Sequence, residues 1–244
     1  HDMNDVIKRS LDAGVEKIIV TSSSIEDTKK AIELTEQYSN TLWATAGVHP
    51  HNAKDAEEQI EVKLKQLLTH QKVVAIGEIG LDYCRNFSEP NEQKKIFKIQ
   101  LDIAAENSLP VFLHQRDSHQ DFVAILKDYQ SDLIGGVAHC FTEGSKELKD
   151  YLDLGLYIGI TGWLCDPRRN QNLIDAMEYI PIERLLIETD APYLMPKALE
   201  KELKTRRNEP CFLPHVAQAV TEYKKIDIGE LALITSQNAE RLFF

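Results

Sequence analysis

The sequence predicts an α/β protein of the TIM (β/α)8 barrel class, on three observations. Short, β-branched apolar runs alternate with amphipathic segments, and strand alternating with helix implies parallel pairing. The chain is 244 residues long, about the length of one such barrel, with no proline-, glycine- or serine-rich stretch to serve as a linker. The apolar runs also end in polar residues able to do chemistry, as barrel strands do at the face that carries their sites.

Taken in order, the chain opens on Asp2 to Ala13, which reads as a helix. Extended runs follow at Lys17 to Thr21, Leu42 to Gly47, Val73 to Gly77, Pro110 to His114, Ile134 to His139, Leu156 to Ile160 and Arg184 to Glu188. Between them the apolar positions fall three or four apart: Ile96, Phe97, Leu101 and Ala104 form one helical stripe, and Phe122, Ile125, Leu126 and Tyr129 another. Start signals agree. Ser24 stands three residues before Asp27, Ser118 precedes a periodic run, and Ser145 opens the segment that carries Leu148 and Leu152 and stops at Gly155. Seven runs are visible where a closed barrel needs eight, so the expectation is a single domain over residues 1–244 whose first barrel strand is absent from this chain. An open doubly wound sheet, which tolerates seven strands, is the alternative.

The composition narrows the class further. A net charge of −11 argues against broad electrostatic adhesion to nucleic acid, though it leaves room for an acidic enzyme with a local basic rim. The four cysteines, Cys84, Cys140, Cys165 and Cys211, are scattered, without zinc-knuckle spacing or disulfide density, and read as reduced structural thiols. No apolar run is long enough to span a bilayer, and the first residues do not resemble a signal peptide. A cytoplasmic monomer with no membrane partner is expected.

The run ends read together as one mouth. They are Gly47-Val48-His49-Pro50-His51, Gly77-Glu78-Ile79-Gly80-Leu81-Asp82, His114-Gln115-Arg116-Asp117, His139-Cys140-Phe141 and Glu188-Thr189-Asp190-Ala191-Pro192. One histidine at a strand end is more often a hydrogen-bonded core residue than a ligand. Five coincident cases are different, because crowded carboxylates and imidazoles repel or desolvate one another unless a cation offsets that cost. Glu78, His114, His139 and Asp190 are therefore the expected metal ligands, with Glu78 able to bridge two ions. Mixed imidazole and carboxylate ligation suits Zn²⁺, Mn²⁺ or Mg²⁺.

The motif series resembles the TatD-related deoxyribonucleases. It comprises Gly47-Val48-His49-Pro50-His51, Gly77-Glu78-Ile79-Gly80-Leu81-Asp82, Phe112-Leu113-His114, Ala138-His139-Cys140-Phe141, Glu188-Thr189-Asp190-Ala191-Pro192-Tyr193 and Arg207-Asn208-Glu209-Pro210, in order and spacing over almost the whole chain. Tyr157 to Arg169 and Leu81 to Phe87 are most similar to bacterial members of that family. The resemblance implies a TIM barrel, a divalent-metal site with Mg²⁺ favoured over Mn²⁺ or Zn²⁺, and hydrolysis of phosphodiester bonds in DNA. It matches Glu78, His114 and His139 to the family's ligands and Asp190 to its last-strand aspartate. In the bacterial branch it further implies 3′ to 5′ exonuclease action on single-stranded DNA and RNA, with a suggested part in repair of oxidative damage. Many relatives carry a His-x-His pair on the first strand, whereas the bacterial branch that this chain resembles lacks it; this chain starts after that point, and His1 is neither residue of the pair.

Individual roles stay open between a chemical and a plain reading. Asp190 is the general-base candidate, with simple ligation equally consistent. His49 is expected to contact the phosphate or to orient a ligand; His51, beyond the proline, is a weaker substrate-binding candidate in an exposed loop. Glu188 shares a strand face with Asp190 and serves either catalysis or a salt bridge. Arg116 shares a strand side with His114 and could clamp phosphate. Arg207 lies in a local basic patch, and Asn208 either binds substrate or caps the helix that Pro210 begins. His70, His119 and His215 read as surface residues. Trp163 and Tyr193 could stack on a base, or simply pack. Two other functions compete. A small-molecule amidohydrolase or phosphoesterase on the same fold is one, although such enzymes commonly place a lysine where this chain has Glu78. A non-catalytic binding module is the other, and the complete ligand set speaks against it.

Overall fold

The computed structural model describes residues 2–56 and 59–244; His1 lies outside them. In chain order the helices are α1 (Met3–Asp12), α2 (Ile25–Gln37), α3 (Ile60–Leu67), α4 (Pro90–Asn107), α5 (His119–Tyr129), α6 (Ser145–Asp153), α7 (Gln171–Met177), α8 (Lys197–Leu203), α9 (Leu213–Lys224) and α10 (Ile228–Phe243). The strands are β1 (Ile18–Val20), β2 (Leu42–Ala46), β3 (Val73–Asp82), β4 (Val111–Arg116), β5 (Gly136–Ala138), β6 (Tyr157–Ile160) and β7 (Leu185–Ile187). The alternation of parallel strand and helix expected for the α/β class is borne out, as is the opening helix.

Two compact units emerge from the packing. One comprises Lys17–His139 with Asp153–Leu156 and Leu242–Phe244; the other comprises residues 2–16 with Cys140–Leu152 and Tyr157–Arg241. In the first, β1 to β5 pair in parallel in strict chain order. A doubly wound sheet reverses its strand order at a switch point. No reversal occurs among these five strands, which removes the basis for the open-sheet alternative here. In the second unit β6 pairs with β7 in parallel.

Local chemistry explains the element boundaries. The Ser24 side chain accepts the Asp27 N–H at 3.1 Å, the N-cap read from the sequence. At α4 the carboxylates of Glu89 and Glu92 form a reciprocal capping box and Pro90 occupies the first turn. Ser118 precedes α5 as expected, and its buried hydroxyl donates to the Leu81 carbonyl of β3 at 3.0 Å, tying helix start to strand. Ile76, Ile79, Leu81, Leu101, Leu113, Phe97 and Phe122 fill the core of the first unit, the two phenyl rings stacked at 5.7 Å.

β3 runs five residues beyond the sequence expectation, through the whole of Gly77-Glu78-Ile79-Gly80-Leu81-Asp82. Its register against β4 shifts between Gly77 and Ile79, so Glu78 is a bulged residue. A bulge re-aims the side chain it carries. Gly80, paired with His114, has φ +143°, and a Cβ there would lie 1.9 Å from the His114 carbonyl oxygen. Only glycine satisfies both conditions.

Candidate metal centre and active site

Within the first unit, His49, His51, Glu78, Asp82 and His114 converge. His49 follows β2 and is buried; its N–H donates to the Ser23 carbonyl and its Nδ1 accepts the His51 N–H at 3.1 Å. With Nδ1 an acceptor, the neutral ring carries its proton on Nε2, which faces Glu78 Oε1 at 3.5 Å. Burial holds the His49 pKa below the ordinary imidazole value, against the opposing pull of Glu78. His49 is thus a neutral donor aimed at Glu78.

Glu78 is anchored by its own N–H, which donates to the Ser22 carbonyl at 2.9 Å. Its Oε1 lies 2.9 Å from His114 Nδ1. Burial alone would raise its pKa; hydrogen bonds from His114 and His49 and the field of His139 overcome that and hold the carboxylate well below its usual range. Asp82 is 1% exposed, and its Oδ2 lies 2.7 Å from His51 Nε2 and 3.2 Å from His114 Nε2. Its Oδ1 accepts the Cys84 and Arg85 N–H groups at 3.0 and 2.9 Å. Burial again opposes ionisation, and the bonds from His114, Arg85 and His51 outweigh it, so Asp82 also stays ionised far into acid.

His114 therefore faces a carboxylate on each nitrogen. Desolvation would lower its pKa, but Asp82 and Glu78 raise it to about 9. His139, at the end of β5, donates its N–H to the Leu113 carbonyl at 2.9 Å, packs its ring 4.9 Å from Phe112, and is close enough for its charge to act on Glu78 and His114. The donor set fits a divalent cation: donor atoms of His49, Glu78 and His114 lie within 4.8 Å of one another, and a buried and a half-buried carboxylate beside three or four imidazoles otherwise need a proton as counter-charge. Arg116 is exposed; its backbone carbonyl accepts the Tyr83 N–H at 2.9 Å and its Cα pairs with Asp82.

The second unit holds the other candidates. Glu188 follows β7, donates its N–H to the Ile160 carbonyl at 2.8 Å, and accepts the Cys140 N–H on Oε2 at 3.1 Å. Its carboxylate lies flat on Gly159, where a Cβ would stand 2.1 Å from Oε1. Asp190 has φ +57°, a left-handed conformation, and its carboxylate lies within 4.8 Å of the Cys140 sulfur. Asn208 is 2% exposed and spends its amide on this turn, donating to the Thr189 and Tyr193 carbonyls at 2.8 and 2.7 Å and accepting the Glu209 N–H at 3.0 Å. Arg207 pairs with Asp2 at 2.7 Å and Glu209 at 3.3 Å, so a phosphate would have to compete for it. The Arg169 guanidinium covers Trp163 at 3.7 Å, whereas Tyr193 is 70% exposed.

Sequence reasoning did not assign a role to Asp82 or to Cys140. Asp82 had a usable signal: it stands four residues after Glu78, the same face of an alternating strand. His51 is also more integrated than a loop position beyond a proline suggests, because a 3-10 turn over Pro50–Asp55 folds it back onto Asp82.

A sequence model of the TatD related DNase family matches residues 1–244. The chain belongs to that family. It is 48% identical over 242 residues to a protein named 3′-5′ ssDNA/RNA exonuclease TatD from Erwinia tasmaniensis, covering 99% of this chain and 93% of the relative. Among solved structures it is similar to a TatD family hydrolase from Entamoeba histolytica, with a TM-score of 0.89, 33% identity, and coverage of 100% of this chain and 89% of that one. The TatD homolog YJJV from Escherichia coli K12 superimposes with a TM-score of 0.90 at 30% identity over 99% of this chain and 92% of its own. This TatD relative is accordingly a hydrolytic nuclease, metal-dependent as its family is, acting on nucleic acid. Among its described residues no helix is long and apolar enough to cross a membrane.

Proposed function

We propose that this chain is a 3′ to 5′ exonuclease on single-stranded DNA and RNA. The observation that carries the reading is His114 clamped between Glu78 and Asp82 with two further imidazoles at hand, the site of a nuclease family whose curated relatives bear that name. Glu78, His114 and His139 are the proposed ligands. The carboxylates suit Mg²⁺ or Mn²⁺ and the imidazoles Mn²⁺ or Zn²⁺, with Mg²⁺ as the first choice. When bound, a divalent cation supplies Lewis-acid polarisation of the phosphate and a more acidic water.

The chain's own residues supply the rest. Asp82 fixes the His114 and His51 rings, His49 steadies Glu78 through Nε2–H, and burial shields the Asp82 carboxylate from bulk water while Glu78 keeps a partly open edge. Asp190, matched to the family's last-strand aspartate, is the residue proposed to take the proton from water or to ligate, and Asn208 holds its turn. Glu188 is proposed to assist from its seat on Gly159. Arg116 and Arg207 are the phosphate contacts proposed, Arg207 by exchange of Asp2 for phosphate. The match of the family model to residues 1–244 supports reading the chain as one domain. Incubating 5′-labelled single-stranded DNA and RNA with the protein across Mg²⁺, Mn²⁺ and Zn²⁺ tests the reading. A ladder shortening from the 3′ end is expected; internal cuts, or no cuts with any metal, overturn it.

A further inference from the structure

We infer that Phe87 is a stacking platform for an unpaired nucleobase at the edge of the metal centre, and so a determinant of the preference for single strands; this rests on the exonuclease reading above. Phe87 is 53% exposed, and its ring meets the His51 imidazole edge to face, with centroids 4.9 Å apart and planes at 85°. His51 in turn reaches Asp82, and Asp82 reaches His114, so the phenyl ring stands two hydrogen bonds from the proposed ligand.

An exposed apolar ring is ordinary on a protein surface. The turn that carries this one is held in place from both sides. The turn from Tyr83 to Ser88 has its two feet tied by one buried amide, Gln93 Nε2, which donates to the Asp82 carbonyl at 3.0 Å and to the Ser88 carbonyl at 2.8 Å. Asp82 Oδ1 takes the Cys84 and Arg85 N–H groups on the near side, and Asn86 turns the chain with φ +49°. On the far side the buried Ser88 hydroxyl donates to the His51 carbonyl and accepts the Lys54 N–H, both at 3.0 Å. The backbone is fixed in detail around a side chain that is left open to water. A half-open aromatic on a tethered turn beside a phosphodiester site is what an unstacked base can use and a base inside a duplex cannot, because stacking needs a free base face.

The test is a cycle between protein and substrate. Binding of 3′-fluorescent single-stranded DNA is read by anisotropy with EDTA present, so that no strand is cut, and kcat/KM is read separately with Mg²⁺. Oligonucleotides carry a tetrahydrofuran abasic nucleotide at the last or the second-to-last position, against intact controls. Phe87→Ala is expected to weaken binding and kcat/KM on intact DNA by about 5- to 150-fold, the worth of one base stack. Removing the base at one of the two positions from the wild-type substrate should cost the same factor, and the two losses should not add. Phe87→Trp should restore the wild-type value, and Phe87→Leu, apolar but not aromatic, should behave as Phe87→Ala. Additive losses at both positions, or full activity of Phe87→Leu, overturn the inference and leave the exonuclease reading standing. Coupled losses in binding without turnover under any metal keep the stack and overturn the exonuclease reading.

Discussion

Two carboxylate pairs, Glu78 with Asp82 and Glu188 with Asp190, are held by opposite means. The first pair grows from the longest strand of the chain and is held by imidazoles: His114 touches both members, His49 one and His51 the other. The second pair flanks the end of a three-residue strand and is held by backbone and amide groups: the Cys140 N–H on Glu188, and Asn208 across the turn that contains Asp190. Partners that titrate make the first pair responsive to protons and metal. In the second pair the named contacts, the Cys140 N–H and the Asn208 amide, carry no titrating proton, so these tethers hold over a wide pH range.

The largest expected effect comes from removing charge from the first pair. Glu78→Gln keeps the volume but removes an anion on which two imidazoles converge, and turnover should fall by about 100- to 1000-fold, as for other groups that stabilise developing charge; single-turnover kinetics under saturating metal measure it. Next comes Asp82→Asn, which removes one of the two carboxylates that hold His114. It should weaken metal binding about 10- to 100-fold by loosening His114, read by calorimetric metal titration.

The second pair should respond in stability. Asn208→Ala strands two carbonyls and an N–H in a buried place, at ~1–3 kcal/mol for each group left unsatisfied. Urea denaturation should show the loss at every pH between 6 and 9, because no titrating partner is involved.

The smallest effect is the sharpest test of the contrast. His114 has its pKa raised from 6.5 to about 9 in the metal-free fold. A raised folded-state value means that the stabilisation is complete below the unfolded value and is lost as pH rises through the folded one. The metal-free protein should therefore lose thermal stability between about pH 6.5 and 9, and metal affinity should rise over the same window as the proton leaves. In Asp82→Asn both slopes should flatten. A pH-independent melting temperature in the metal-free wild type would contradict the contrast.

The strand and helix pattern was legible from periodicity because alternation of two and of three to four is imposed by backbone geometry and needs no tertiary information. The clustering of histidine and carboxylate at strand ends was legible for the same reason. Asp82 was harder to read: its spacing of four from Glu78 hints at a shared strand face, but the bulge at Glu78 interrupts the alternation that points to it. Asn208 read as a substrate contact or a helix cap, since its partners Thr189 and Tyr193 are 19 and 15 residues away.

The sequence by itself determined which chemical groups this chain owns and that they fall at the ends of parallel strands, because those follow from residue type and spacing. Only the tertiary structure decided who holds whom: His114 between two acids, Glu188 lying on Gly159, Asn208 stapling the Asp190 turn. Such contacts depend on strand register, on a bulge and on glycines that let backbones approach. They are fixed by the packing of segments far apart in the chain, which no local pattern encodes.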